Sequence, residues 1–399
     1  LQNPDKPEFL SIIQARIITP GGVLEDGNLV IKDGTIHQFQ TGAASLPEGP
    51  VLDAGGNWLA PGFIDIHVHG GAGYDFMDNT VEAFLAIARL HAQHGTTSMF
   101  PTTLTSELPD LYATIDCYEK ALTHAHDGAR FLGLHLEGPY FSKEQRGAQD
   151  ERYIRNPDPA EYRAIQEKST HIRRWSAAPE LPGALDFADY CRSKGILPAL
   201  AHTNANYEQV KAGVEHGYRL ATHLYSAMSG LTRRNGFRIA GAIESSLLLD
   251  EIDVELIADG AHLPEVLLKL VVKLKGKEKI ALVTDAMRAA GTKLQHSILG
   301  SKTTGLEVII EDDVAKLPDR TAFAGSVATA DRLVRTMVQL AEVSIPDAVY
   351  MMSTTPARIM GVNDQVGSIE PGKKADLVIF DDDIRVQQTI INGKPVLYT

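Results

Sequence analysis

Cysteine is scarce. Cys117 and Cys191 are the only two in 399 residues, and they lack the close spacing that holds zinc or frames a disulfide scaffold. A reduced, cytoplasmic setting is therefore expected. Positive charge is also short, 38 Lys and Arg against 51 Asp and Glu for a net charge of -13, and no basic block supplies the footprint of a general nucleic-acid binder. That balance still permits anionic small molecules in a locally positive pocket. No apolar run reaches membrane-spanning length. The first seven residues lack the basic-then-apolar pattern of a secretion signal. The expectation is a soluble protein with no membrane partner, in which the residues before Glu8 form an unstructured leader.

The length allows one large core plus something smaller. Residues 9–19 and 28–38 are β-rich runs broken by Pro20-Gly21-Gly22 and by the turn signal Asp33-Gly34. The far end has the same character, with an apolar run at 377–380 and a hairpin signal at Asn392-Gly393. Residues 8–60 and 361–399 are therefore expected to build one small β domain around a main domain over 61–360. In that main domain, strand-like segments at 63–68, 97–101, 131–136, 172–177, 196–201, 220–224, 254–258 and 280–283 alternate with helix-like ones such as 80–94, 107–125, 181–194 and 207–216. Eight such units suggest an α/β fold of the (β/α)₈ barrel type, with an open doubly wound sheet as the alternative.

A barrel demands that polar chemistry gather where its strands end. His67 and His69, two apart on the first strand, point to one side and can reach one metal centre. His135 and Glu137 end the third strand and His202 the fifth. His223 lies near the end of the sixth, Asp259 and His262 near the seventh, and Asp285 ends the eighth. So many ligand types on successive strand ends point to a metal-dependent site.

These residues sit in recognisable surroundings: Pro61-Gly62-Phe63-Ile64-Asp65, Gly95-Thr96-Thr97, Leu134-His135-Leu136-Glu137-Gly138-Pro139, Ala201-His202-Thr203-Asn204-Ala205, Thr222-His223-Leu224-Tyr225 and Val283-Thr284-Asp285-Ala286. Over almost its whole length the chain resembles the N-acetylglucosamine-6-phosphate deacetylases of the amidohydrolase superfamily. The resemblance implies a metal-dependent barrel beside a small β-sandwich built from both chain ends. It implies Glu137, His202 and His223 as ligands of a divalent ion and, since this chain keeps both histidines, His67 and His69 as able to host a second, giving one or two ions per chain. Zn²⁺ or Fe²⁺ suits these donors best, with Mn²⁺, Co²⁺ and Ni²⁺ compatible. Asp285 would take a proton from the attacking water and return it to the leaving amine. His262 would contact substrate at the phosphate side. Arg234, with a guanidinium fork suited to phosphate, would act in a homodimer, from the neighbouring subunit.

Two positions depart from the family pattern. Ser226, beside Ala227, stands where the family holds phosphate with an asparagine, and a hydroxyl lacks the amide's second donor. Gln149 stands where many members have a histidine beside the acetyl carbonyl, and it cannot become a cation. Carbonyl polarisation would then shift to the second ion. The expected reaction is deacetylation of N-acetyl-D-glucosamine 6-phosphate. N-acetylgalactosamine 6-phosphate or another N-acyl amine is the first alternative, and a catalytically inactive sugar-phosphate-binding protein is one from another class. A cyclic amidohydrolase usually needs a lysine on the fourth strand, and Trp175-Ser176-Ala177-Ala178-Pro179-Glu180 has none. Blander expectations make His135 a supporting partner and give His91, His94, His124 and His126 capping or solvent roles. A hairpin is expected within 294–318, and Ser326 is expected to cap the helix after it.

Overall fold

The computed structural model describes residues 8–42, 46–124 and 127–397, so the expected leader before Glu8 and the role given to His126 lie outside the described residues. Eight strands form the barrel: Phe63–Val68, Thr96–Thr103, Leu134–Glu137, Ile172–Ala177, Leu197–Leu200, Leu220–Ala221, Asp253–Leu256 and Ile280–Leu282. Each pairs in parallel with the next. The seam between eighth and first is closed by single bonds: Asp285 N–H donates to His67 O and His69 N–H to Ala286 O, both at 2.9 Å. The Thr284 hydroxyl adds a bond to buried Asp65 at 2.5 Å. Strands covered on both faces carry nearly continuous apolar runs, which is why FIDIHV is buried at every residue. The expected 131–136 strand divides at Gly133, whose φ of +154° interrupts the extended run. Arg130–Phe131 and Leu134–Glu137 lie on either side of it.

Helices Val81–Gln93, Leu108–Leu122, Pro159–Glu167, Ala184–Ser193, Tyr207–Glu215, Ala242–Leu248 and Glu265–Lys275 lie between the strands. In the first of these, Phe84, Ile87, Ala88 and His91 fall at helical spacing on the buried face. That face carries His91 inward, against the expectation of a capping or solvent role. Its Nε2 lies 3.0 Å from the Gly70 carbonyl, and burial pushes its pKa down to about 4.

The two chain ends meet in one mixed sheet. Its order is Lys394–Pro395, Val386–Ile391, Leu377–Phe380, Trp58–Pro61, Phe9–Thr19, Gly22–Lys32, Thr35–Thr41, with Val51–Asp53 paired beside Phe9–Thr19. The late strand Leu377–Phe380 runs antiparallel to Trp58–Pro61, and its Phe380 meets Phe63 at the foot of the barrel, ring centroids 6.2 Å apart.

The expected hairpin is present, His296–Leu299 paired antiparallel with Leu306–Glu311, and Val314–Lys316 and Phe323–Ser326 extend it into a four-stranded antiparallel sheet. Its Leu299, Val308, Ala315 and Ala324 bury against Met287 and Ala289, and that apolar face stabilises more chain than a lone hairpin holds. Ser326 ends this sheet and does not cap the helix Ala330–Gln339, whose N-cap is Thr329. The Ser326 hydroxyl donates to Thr284 O at 2.5 Å and accepts from Ala328 N, tying the insertion to the eighth barrel strand.

Candidate active site

The strand ends converge as the barrel requires. Three residues there have backbones in the left-handed region: His202 (φ 45°), His223 (φ 33°) and Asp285 (φ 46°). Such a conformation costs about 1–3 kcal/mol for a residue with a side chain, and local bonds hold it. His223 N–H donates to Glu255 Oε2 at 3.1 Å, Asp285 N–H to His67 O at 2.9 Å, and His202 O accepts from Ser142 N at 2.9 Å. The abrupt turn out of each strand carries these side chains back over the barrel mouth.

Two trios of ligand atoms result, His67 with His69 and Asp285, and Glu137 with His202 and His223, each lying within 4.8 Å of one another and buried. Glu137 joins them. Its Oε1 is 3.1 Å from His223 Nε2, 3.4 Å from His202 Nε2 and 3.5 Å from His67 Nε2, and its Oε2 is 3.4 Å from His69 Nε2. Asp285 Oδ1 lies 3.2 Å from His69 Nε2 and 3.5 Å from His67 Nε2. Nitrogen and oxygen ligands about 2.0–2.1 Å from a tetrahedral ion stand about 3.3–3.4 Å from each other, and the separations here, 3.1–3.5 Å, bracket that value.

The electrostatics fit a cation equally well. Burial acts to raise Glu137, yet the charge of His67 and the hydrogen bonds from His202, His223 and His69 hold it well below the usual carboxylate range. Asp285 is also lowered, the His67 charge and the His69 bond outweighing burial. Burial acts to lower His69, but its bonds to Asp285 and Glu137 push it up to about 10, and His223 is raised by Glu137 against the same burial. Two carboxylates kept ionised in a dry site call for positive charge beside them.

The other expected residues divide. Ser226, Ala227, His262 and Gln149 line a cavity of about 350 Å³ together with His69, Asp285, Glu137, His202 and His223, while His67 lies beneath it. His262 Nδ1 lies 2.8 Å from Asp259 Oδ2 and its ring packs on Phe323, centroids 4.6 Å apart. Gln149 is already engaged: its Nε2 donates to Glu137 Oε2 at 2.7 Å and its Oε1 accepts from Thr105 N at 2.9 Å. It therefore steadies Glu137 as well as facing the cavity. His135 stays outside both trios. It bonds Ser176 Oγ at 2.7 Å and Thr102 Oγ1 at 3.2 Å, and burial, the Arg174 charge and His67 keep it neutral. Arg234 is in an exposed hairpin, Thr232–Arg234 paired with Phe237–Ile239, and is absent from the lining of its own chain's cavity among the described residues.

Sequence reasoning missed Leu299, Thr321 and Phe323, which bring the four-stranded insertion over the cavity. It also missed Glu255 and Arg174, buried beneath His67. The available signal was a lone charge inside an apolar strand, as in Val254-Glu255-Leu256.

An amidohydrolase family model matches residues 58–396. Over 380 residues the chain is 35% identical to N-acetylgalactosamine-6-phosphate deacetylase of Escherichia coli O157:H7, covering 95% of this chain and 97% of that one. It is 34% identical to N-acetylglucosamine-6-phosphate deacetylase of Vibrio furnissii, with 92% and 90% covered. Among solved structures it resembles N-acetylglucosamine-6-phosphate deacetylase of Pasteurella multocida, with a TM-score of 0.90, 30% identity, and 97% of this chain and 99% of that one covered. It also resembles the Mycobacterium smegmatis enzyme, solved as an aspartate-to-alanine variant in complex with N-acetyl-D-glucosamine-6-phosphate. There the TM-score is 0.88 and the identity 27%, with 98% of this chain and all of that one covered.

Proposed function

The chain belongs to the amidohydrolase family and, within it, to the N-acetylglucosamine-6-phosphate deacetylases, and from that premise we propose that it hydrolyses the acetamide of N-acetyl-D-glucosamine 6-phosphate, releasing acetate and glucosamine 6-phosphate. The observation that carries this reading is Glu137 shared between two ligand trios, with Asp285 at the edge of the same cavity. Glu137, His202 and His223 would hold one divalent ion and His67, His69 and Asp285 a second, zinc or iron suiting donors of this kind. Bound there, a divalent cation polarises the scissile carbonyl and makes water acidic enough to attack at neutral pH.

Asp285 accepts the proton of the attacking water on its carboxylate and then delivers it to the amide nitrogen, because an amine leaves readily only when protonated. Asp259 holds His262 by Nδ1, which leaves Nε2 for the substrate's polar groups. Gln149 keeps Glu137 aimed and, being neutral, adds little charge to the carbonyl. Ser226 and Ala227 take the phosphate side. Arg234 completes the phosphate grip from a second copy in a homodimer. Support comes from its exposed hairpin, which clusters Arg233, Arg234 and Arg238 around a Phe237 that is 78% exposed. No helix among the described residues is long and apolar enough to cross a membrane, and both cysteines are free and buried, which supports a cytoplasmic setting.

The N-acetylgalactosamine epimer is the second reading, favoured by the 35%-identical relative that bears that name and by Ser226 where the family uses asparagine. Acetate release measured in parallel on both N-acetylhexosamine 6-phosphates and on their unphosphorylated forms tests both. Faster turnover of the glucosamine phosphate, lost on chelation, is expected. Preference for the galactosamine phosphate would transfer the assignment, and indifference to phosphate would overturn both readings.

A further inference from the structure

Beneath His67, on the side away from Glu137, lies a buried ion pair that the proposed reaction does not use. Glu255, in the seventh strand, and Arg174, in the fourth, are both 0% exposed, and their side chains meet directly. Arg174 also donates to the Ile66 carbonyl at 3.1 Å and the Thr222 hydroxyl at 2.8 Å. Glu255 Oε2 lies 3.3 Å from His67 Nδ1 and accepts the His223 N–H at 3.1 Å. One carboxylate thus touches a side chain of one trio and the backbone of the other. A buried pair of this kind is seldom more stabilising than apolar residues of equal volume, so its placement points to a task at the site.

The task is readable at the ring. An imidazole that donates Nδ1–H to a carboxylate keeps the Nε2 lone pair free, and Nε2 of His67 faces His69 at 3.2 Å and Asp285 at 3.5 Å. His202 has a comparable arrangement with a neutral acceptor, its Nδ1 2.9 Å from Gln145 O. The Nδ1 atoms of His69 and His223 are buried without a partner among the described residues. Each trio therefore contains one ring whose tautomer is set, and of the two only His67 is set by a charged group. We infer that Glu255 and Arg174 form a positioning pair that fixes the tautomer and aim of His67 and thereby secures the second cation, at His67, His69 and Asp285. Arg174 balances the carboxylate's charge and holds Glu255 where it accepts the His67 hydrogen bond.

An amide cannot replace this carboxylate. If Glu255→Gln turns its carbonyl to Arg174, its NH₂ meets the N–H groups of His67 and His223. The opposite rotamer sets NH₂ against guanidinium. The inference rests on the reading of the centre as a cation site, and its test separates the two. Chelator-stripped wild type, Glu255→Gln and Glu255→Asp are titrated with Zn²⁺, with ions per chain counted by elemental analysis and each affinity taken from competition with a chelator. Thermal unfolding reports on the fold. Wild type is expected to bind two ions. Glu255→Gln is expected to lose about 10–100-fold in affinity for one of them, as is usual for the partner of a ligating histidine, while the other, which loses a backbone bond to His223 but no bond to a ligating ring, weakens less. Glu255→Asp, which keeps the charge, should recover part of the loss, and it carries the comparison if the glutamine variant does not fold. Equal weakening of both sites, normal binding of two ions by Glu255→Gln, or a wild type that takes up one ion would each overturn the pair's role. Wild-type acetate release with no bound ion would overturn the cation-site reading itself.

Discussion

Burial acts to lower the pKa of His69, but its hydrogen bonds to Asp285 and Glu137 outweigh that and push it up to about 10, well beyond the ordinary range of imidazole. An imidazolium offers no lone pair to a metal, so cation binding near pH 8 must expel that proton. The sign is definite. A raised imidazole pKa stabilises the ion-free fold fully below its unfolded value of 6.5 and progressively less as the pH rises through about 10. Cation affinity should move the opposite way, rising by up to about tenfold per pH unit between 7 and 10 and then levelling. Calorimetry in buffers of different ionisation enthalpy should find about one proton released per chain, and an affinity flat with pH would contradict this. At this scale the residues that the structure brings together as candidate ligands were legible in the sequence because metal chemistry restricts residue type: His67 and His69 share a face at spacing two, and Glu137, His202, His223 and Asp285 stand at strand ends. Glu255 and Arg174 were not. On a strand with one wet face a lone charge simply points to solvent, and only barrel closure, which buries both faces, turns it into an interior group.

The first strand is positioned by an element contact as tight as any in the barrel. Gly62 donates its N–H to Asp376 O at 2.8 Å, joining the terminal sheet to the barrel, and a Cβ there would come within 2.2 Å of Thr97 Cγ2 on the second strand. Gly62→Ala should destabilise the fold by about 1–3 kcal/mol through overpacking, read as a lower urea midpoint at unchanged slope. An unmoved midpoint would show that the two strands tolerate separation. Strand existence was readable from apolar runs between turn signals, and five of the eight barrel strands proved shorter than the runs that announced them. Leu220–Ala221 is the extreme case, since the apolar run continues past the turn that aims His223. The four-stranded insertion was half-seen. Its strands carry intermediate and exposed positions, and their partner is the Met287–Ala289 stretch, which local pattern does not reveal.

For the whole molecule, Arg234 lies outside the lining of its own chain's cavity among the described residues, and the proposed homodimer can be tested on that ground. If the arginine is supplied across a twofold interface, Arg234→Ala and Asp285→Asn should each be nearly inactive alone, yet mixing them after subunit exchange should restore about a quarter of wild-type activity, since half the dimers are mixed and each of those has one complete site. No recovery with proven exchange would place the phosphate grip within one chain. The most direct measurement is acetate release by Asp285→Asn, with metal analysis of the same sample. The expected result is a kcat lower by about 10²–10⁴-fold while the ion at Glu137, His202 and His223 stays bound. Wild-type turnover with that ion in place would contradict the claim that Asp285 carries the proton from water to the leaving amine.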